Sequence, residues 1–119
     1  MQDFKKLNIW RKAHELTLGV YSTTRTFPSA EIYGLRAQMR RASSSIGINI
    51  AEGCGTTGPL ELRRYLRVSM GSESELEYEL VLARDLRLIS ETDHRRLTAQ
   101  VVEIKRMTAA LIRKLKTEN

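Results

Sequence analysis

Apolar side chains recur every three or four positions along most of this chain, the spacing that places them on one face of an α-helix. The first such segment begins near Asn8 and is predicted to stop at Phe27-Pro28, because a residue before proline is driven out of the helical conformation. Its inward face is predicted to comprise Ile9, Ala13, Leu16, Val20 and Thr24. A second helix, capped by Ser29, is predicted over about residues 31–52. Its apolar stripe comprises Leu35, Met39, Ala42, Ile46 and Ile50.

A glycine-rich break and a serine cap delimit two further helices. Three glycines within residues 53–58 predict a loop, and Pro59 suits the first position of the helix that follows. This third helix is predicted over about residues 60–89. Its inward face is predicted to comprise Leu62, Tyr65, Leu66, Ser69, Ser72, Leu76, Leu80, Ala83 and Leu86. Ser90 is predicted to cap a fourth helix, with a heptad seam of Leu97, Val101, Ile104, Thr108, Leu111 and Leu115.

Four amphipathic helices with short connections favour an all-α fold, an antiparallel up-and-down four-helix bundle. The 119 residues suit a single domain that spans residues 1–119. Seven glycines and two prolines are too few for the many turns of a sandwich or barrel. Several apolar residues fall outside the predicted stripes and indicate a second buried face, hence self-association. They are Trp10, Tyr21, Tyr78, Val81, Leu82 and Leu88.

Positive charge is the clearest functional signal in the sequence. The formal net charge is +6, which favours a polyanionic partner. Residues 94–119 hold seven basic and two acidic side chains, whereas residues 71–93 hold two basic and seven acidic ones. Phosphate contacts require cations on a shared surface, although each cluster also fits a solvated helix face. The predicted nucleic-acid-binding residues are Lys5, Lys6, Arg11, Lys12, Arg36, Arg40, Arg63, Arg64, Arg67, Arg95, Arg96, Arg106, Arg113 and Lys114.

Catalytic and metal-binding patterns are weak by comparison. Cys54 has no histidine tied to it, and a single cysteine requires no oxidising compartment. The four glutamates between residues 73 and 79 fall on different helix faces, and His14 and His94 do not form the Glu-x-x-His pairs of a di-metal bundle. We therefore expect no catalytic residues, no metal and no cofactor. No apolar run approaches the roughly 20 residues of a membrane span, so we expect a cytoplasmic protein without membrane contact.

Three stretches of the chain resemble a known family. The first is Trp10-x-x-Ala13 with Leu16. The second and longest is Phe27-Pro28-x-x-Glu31-x-Tyr33-Gly34-Leu35-x-x-Gln38-x-Arg40-Arg41-Ala42-x-x-Ser45-Ile46-x-x-Asn49-Ile50-Ala51-Glu52-Gly53. The third is Tyr65-Leu66 followed by Gly71-Ser72-x-x-Glu75-Leu76. With these motifs the chain is similar to the four-helix-bundle family of 23S rRNA intervening-sequence proteins.

The resemblance implies a ring-like homopentamer. It also implies kinship with the accessory variability proteins of diversity-generating retroelements, which are basic pentamers that bind nucleic acid and a reverse transcriptase. Relatives typically have proline where this chain has Gly47, and their loop after Gly53 often contains basic residues that are absent here. If that loop contacts phosphates in relatives, this chain should do so less strongly.

Several other residues are interpreted as structural, at helix ends, in loops or in buried pairs. Arg41 is expected to pair with Glu52, Glu75 or Glu79 within the bundle or between subunits. The structural set comprises Trp10, Tyr33, Gly34, Arg41, Asn49, Glu52, Gly53 and Glu75.

The sequence thus predicts a non-enzymatic, basic, homo-oligomeric scaffold that binds nucleic acid, RNA in preference to DNA, through backbone phosphates. An alternative stays open: a protein–protein adaptor ring that holds a reverse transcriptase or another polymerase. The apolar residues outside the core stripes and the acid-rich second half of the third helix favour this alternative.

Overall fold

A computed structural model of the protein describes residues 2–31 and 34–117. Every regular element in these two ranges is helical, which confirms the predicted all-α fold with four long helices. Two short 3-10 helices, Phe4–Lys6 and Ser29–Glu31, precede α1 and α2 respectively. The four long helices are α1 (Asn8–Thr24), α2 (Leu35–Cys54), α3 (Pro59–Asp85) and α4 (Glu91–Thr117).

The start of α2 differs from the prediction. The helix begins at Leu35 rather than near residue 31, because the preceding residues Ser29–Glu31 form a tight 3-10 turn. Gly34 then takes up a backbone conformation (φ −103°, ψ −117°) that interrupts the helical path. Glu31, and not Ser29, accepts a hydrogen bond from the first amide of α2, at 3.2 Å from the nitrogen of Leu35. The carboxylate therefore caps this helix.

Helices α1 and α3 both end earlier than predicted. The last helical residue of α1 is Thr24, three positions before the Phe27-Pro28 pair. Helix α3 ends at Asp85, and the chain reverses through Arg87, whose φ of 61° lies in the left-handed region. Ser90 caps α4 as predicted, since its hydroxyl accepts from the amide of Asp93 at 3.0 Å.

Each helix packs antiparallel against the next, and α4 closes the bundle against α1. The packed rod measures 47 by 21 by 20 Å. Side-chain hydrogen bonds and ion pairs fix the register between neighbours. The pairs are Thr17 with the carbonyl of Ser43 (3.0 Å), Ser72 with Ser45 (2.9 Å), Thr108 with Glu73 (2.7 Å), Lys105 with Glu77 (2.9 Å) and Lys12 with Glu103 (3.2 Å).

The predicted core is largely confirmed. All five predicted inward residues of α1 and all five of α2 are buried. The prediction for Leu86 is wrong: this side chain is 54% exposed, because α3 ends one residue before it. Of the apolar residues placed outside the stripes, Trp10 and Leu82 pack partly buried against the core, whereas Tyr21 and Tyr78 are exposed.

Glu73 lies fully buried in the bundle, and the sequence pattern did not lead us to predict this burial. The hydroxyls of Ser69 and Thr108 donate to its Oε2 at 3.1 and 2.7 Å. Its Oε1 is buried without a hydrogen-bond partner among the described residues. Burial raises the pKa of Glu73 to about 7, against the opposing effect of the two hydroxyls. The carboxyl is therefore largely neutral in the folded protein at slightly acidic pH.

Glu79 is a second buried carboxyl of α3. Only 3% of the residue is exposed, and both carboxyl oxygens lack hydrogen-bond partners within the described ranges. Burial and the neighbouring Glu75 carboxylate raise the pKa of Glu79 to about 8, while the charge of Arg41 lowers it. Two glutamates of α3 thus contribute less surface charge than the sequence suggests.

Gly53 lies where α2 packs tightly against the start of α3. A Cβ at this position would be 2.7 Å from Cδ1 of Leu62 and 3.0 Å from Cβ of Tyr65. We expect Gly53→Ala to lower the free energy of unfolding by about 1–2 kcal/mol, because the added methyl overpacks this contact. Gly71→Ala is the matched control, since no heavy atom lies within 4 Å of its added Cβ. It should raise the free energy of unfolding by about 0.5–1 kcal/mol. Urea denaturation of both variants checks this, and a stabilised Gly53→Ala would contradict it.

Among the described helices, none is both long and apolar enough to cross a lipid bilayer.

Candidate nucleic-acid interface

Three arginines form a row along the outer side of α4. Arg95, Arg106 and Arg113 are 11 and 7 positions apart, so helix periodicity places them on one line along the helix. All three side chains are exposed. We call these three residues the arginine row.

Helix α3 adds cations beside the arginine row. Glu73 of α3 contacts Thr108 of α4. Arg67 precedes Glu73 by about one and a half turns, and Arg113 follows Thr108 by about the same distance. Because the two helices are antiparallel, both arginines lie at the same end of the α3/α4 pair. Arg63 is seven positions before Met70 and fourteen before Glu77, which places it on the side of α3 that faces α4. We call the outer groove between the two helices the α3/α4 face; it comprises Arg63, Arg67, Glu77, Arg95, Lys105, Arg106 and Arg113.

The arginines of this face have few internal partners. Within the described residues, Arg67 and the arginine row make no ion pair and no side-chain hydrogen bond. The Nε and Nη1 atoms of Arg63 are buried and also lack a partner there. An unpaired guanidinium presents up to five N–H donors in a geometry that fits phosphate oxygens. The α3/α4 face can therefore donate hydrogen bonds to several phosphates at once.

Negative charge near this face is smaller than the sequence suggests. Five of the seven acidic residues between positions 71 and 93 are buried with a raised pKa or paired with a cation. They are Glu73 and Glu79, which are buried, and Glu77, Asp85 and Asp93, which pair with Lys105, Arg84 and Arg96. Because the pKa values of Glu73 and Glu79 are raised, α3 has less negative charge near neutral pH than a count of its glutamates indicates.

Other predicted nucleic-acid-binding residues are engaged elsewhere. Lys12, Arg64 and Arg96 pair with Glu103, Glu61 and Asp93 at 3.1–3.2 Å. Arg40 donates to the hydroxyl of Thr24 at 2.9 Å and to the carbonyl of Tyr21 at 3.0 Å, with its guanidinium over the Tyr21 ring. Arg11 donates to the side chain of Asn8. These contacts hold the helices together or satisfy charges locally.

The remaining predicted cations lie apart from the α3/α4 face. Lys5 and Lys6 belong to the 3-10 helix before α1, and Arg36 belongs to the first turn of α2. Lys114 lines a cleft between α1 and α4, next to Leu7 and Met107. The structure therefore assembles only part of the predicted set: Arg63, Arg67, Arg95, Arg106 and Arg113.

The residues interpreted as structural occupy several sites. Trp10 packs edge-on against Phe4 and stacks on His14, with ring centroids 4.9 and 5.0 Å apart. Asn49 donates to the carbonyl of Ser45 at 2.8 Å, and Gly53 abuts Leu62. Tyr33 lies outside the described residues.

Arg41, Glu52 and Glu75 are exposed on α2 and α3. Within the described part of the chain, Arg41 forms no ion pair with either glutamate or with Glu79. Its charge is nevertheless close enough to lower the pKa of Glu79. The interaction of Arg41 inside the chain is thus through space and not through a direct contact.

A second surface lies between α1 and α2, where a cavity of about 290 Å³ has no Asp, Glu, Lys or Arg side chain in its lining. Ile48, which lines the cavity, and Leu18 of α1 are both more than half exposed. We call this the α1/α2 surface; its cavity is lined by Phe4, Trp10, His14, Thr17, Ser44, Gly47, Ile48 and Ala51. An uncharged, partly apolar patch of this kind is typical of protein–protein contact.

The candidate nucleophile Cys54 is the last residue of α2. Cys54 is buried, and burial raises the pKa of its thiol, which disfavours the thiolate needed for nucleophilic attack. No group of three or more His, Cys, Asp or Glu side chains in the described ranges is arranged to hold a metal ion.

Comparison with known proteins yields a family and a fold. Residues 5–110 match the family described as 23S rRNA-intervening sequence protein. A crystal structure from Bacteroides thetaiotaomicron, of a protein of unknown function from the S23 ribosomal protein family, is similar with a TM-score of 0.79. The two chains are 20% identical, and the match covers 87% of this chain and 97% of the other. No curated protein matches the sequence.

Proposed function

The chain belongs to the 23S rRNA-intervening sequence protein family, as its motifs indicated, and on this premise we propose that it is a non-enzymatic, homo-oligomeric scaffold that binds RNA through backbone phosphates. The observation that supports the proposal is the arginine row on the α3/α4 face, exposed and without acidic partners among the described residues. The description of the family names a ribosomal RNA sequence, which favours RNA over DNA.

Binding of this kind depends on charge and not on base sequence. Each phosphate that an arginine neutralises releases condensed counterions into solution, and this entropy gain shrinks as salt rises. The α3/α4 face has no aromatic side chain among its defining residues, so a row of stacked bases is not expected there. The proposal is therefore a phosphate-binding surface whose affinity falls steeply with ionic strength.

We also propose that the protein assembles as a ring-like homopentamer. The α1/α2 surface is one apolar patch, and Leu60, Val68 and Tyr78 are exposed on α3, on another side of the bundle. Two different patches favour a head-to-tail contact, which closes into a ring when the rotation between subunits allows it. A ring would repeat the α3/α4 face and raise avidity. Light scattering should give about 68 kDa, five times the chain mass of 13.6 kDa; a monomer at micromolar concentration would contradict the ring.

The test of RNA binding is a fluorescence anisotropy titration. A labelled 20-nucleotide single-stranded RNA is mixed with the protein at about 50 mM salt and again at about 200 mM salt. We expect saturable binding at the lower concentration and a loss of affinity of tenfold or more at the higher one. An undetectable signal at about 50 mM salt would rule out the proposal.

The α1/α2 surface favours a second candidate function, a protein–protein adaptor. Its uncharged lining fits a protein partner better than a phosphate backbone. In this case the α1/α2 surface would hold a partner such as a reverse transcriptase, and the subunits of the ring would meet through other surfaces. The cations would serve solubility or an acidic protein. Co-purification with a protein that survives nuclease and high salt would favour the adaptor over the RNA scaffold.

A further inference from the structure

An apolar cleft interrupts the α3/α4 face between its cations. Its volume is about 340 Å³, at the small end of the range of roughly 300–1,000 Å³ found for small-molecule sites. The side chains that line it are Met70, Glu77, Val102, Lys105, Arg106 and Ala109. Glu77 and Lys105 pair with each other at 2.9 Å across the cleft, so its single acidic group is already neutralised.

Cations flank this cleft on both sides. Arg106 lines the cleft itself, Arg95 lies about 16 Å from it along the axis of α4, and Arg113 lies about 10 Å away in the other direction. Arg67 of α3 is at the same end as Arg113. A chain of phosphates that follows the arginine row therefore passes directly over the apolar walls formed by Met70, Val102 and Ala109.

The chemistry of these walls distinguishes a single strand from a duplex. In an RNA duplex the bases are stacked and paired, and the protein meets phosphates and 2′-hydroxyls. In a single strand, an unpaired base offers an apolar face and a polar edge, and arginine guanidinium planes are known to stack on such faces. A cleft with apolar walls, one guanidinium and one polar pair suits an unpaired base better than it suits a phosphate.

We propose that this cleft seats one unpaired base of single-stranded RNA while Arg95 and Arg113 bind the flanking phosphates. The base packs on Met70, Val102 and Ala109, and the guanidinium of Arg106 covers its exposed face. Lys105 donates to a carbonyl acceptor on the base edge, and Glu77 accepts from a ring N–H of the same edge. This assignment rests on the proposed RNA-binding function and narrows it to single strands.

The experiment compares three labelled RNAs of equal phosphate number. They are a 20-nucleotide oligouridylate, the same chain with abasic riboses, and a duplex with 20 phosphates in total. We expect the wild-type protein to bind the intact single strand about 5-fold or more tightly than the abasic strand and the duplex. Equal affinity for all three RNAs would overturn the base site and leave phosphate binding intact. No binding to any of them would overturn the proposed function as well.

Two variants localise the effect. Ala109→Leu fills the cleft without a change of charge, whereas Ala110→Leu is a matched change on the side of α4 that faces α1, in a different cleft next to Leu7 and Leu111. Ala109→Leu should reduce affinity for the intact strand to the level of the abasic strand, and Ala110→Leu should leave both unchanged. Thermal unfolding checks that both variants fold. If Ala109→Leu folds and keeps the preference for intact RNA, the base does not lie in this cleft; the comparison of intact and abasic RNA on wild-type protein stands whether or not the variant folds.

Discussion

Replacing Arg95, Arg106 and Arg113 with glutamine is expected to weaken single-stranded RNA binding by roughly 100-fold at about 100 mM salt, because Arg95 and Arg113 contribute charge-assisted phosphate contacts and Arg106 covers the seated base. The slope of log affinity against log salt should fall by about 1.4, since each of the two phosphate contacts on a single strand contributes about 0.7. Anisotropy titrations between about 50 and 200 mM salt measure both quantities. The three side chains are exposed, so the variant should keep its fold.

The matched control removes the same charge from cations that are already paired. Lys12, Arg64 and Arg96 each have an acidic partner in the structure. Their triple replacement by glutamine should weaken binding by less than about 10-fold, through the change of net charge alone. Equal losses in the two triple variants would show that binding responds to total charge, and the α3/α4 face would then have no special role.

The second large effect concerns stability and pH. The pKa of Glu73 is about 7 in the folded protein and 4.5 in the reference state, so folding favours the protonated carboxyl. A carboxyl with a raised folded pKa stabilises most below its unfolded pKa, and that stability is lost as pH rises through the folded value. The shift corresponds to about 3 kcal/mol. We therefore expect the free energy of unfolding to fall between pH 5 and pH 8, and Glu79, with a pKa of about 8, adds to the decline.

Glu73→Gln should remove much of this dependence. The amide stays neutral at every pH, so the variant should match the wild type near pH 5 and exceed its stability by about 2–3 kcal/mol near pH 8.5. Glu77→Gln, one turn along the same helix and on the surface side, is the control and should leave the pH dependence unchanged. Urea denaturation at several pH values provides the measurement. A wild-type protein that becomes more stable from pH 5 to pH 8 would contradict the buried, protonated state of Glu73.

Periodicity predicted the inward faces of α1 and α2 correctly, yet it placed Leu86 in the core because the pattern of α3 continues past the end of the helix. The turn through Arg87 follows the end of α3, and no local sequence signal marks that turn. Glu73 follows the same spacing as Ser69 and Leu76, so periodicity alone would have placed it inside. The formal charge of Glu73 argued against burial. Its raised pKa means that the buried carboxyl is largely protonated, and hence uncharged, at slightly acidic pH.

The candidate interface was only partly visible in the sequence. The spacing of Arg95, Arg106 and Arg113 on one line of a helix can be read from their numbers. The sequence does not show which cations have acidic partners across the bundle, because pairs such as Lys12 with Glu103 join residues that are far apart along the chain. The cleft beside Arg106 depends in the same way on the register between α3 and α4.

Cross-linking of bound RNA to the protein tests most directly whether the α3/α4 face binds it. An oligonucleotide with 4-thiouridine is irradiated in complex with the wild-type protein, and mass spectrometry then identifies the attached peptides. We predict cross-links on α3 and α4, concentrated around Met70, Val102 and the arginine row. Cross-links confined to α1 and α2, next to Trp10 and Ile48, would contradict the assignment of RNA binding to this face.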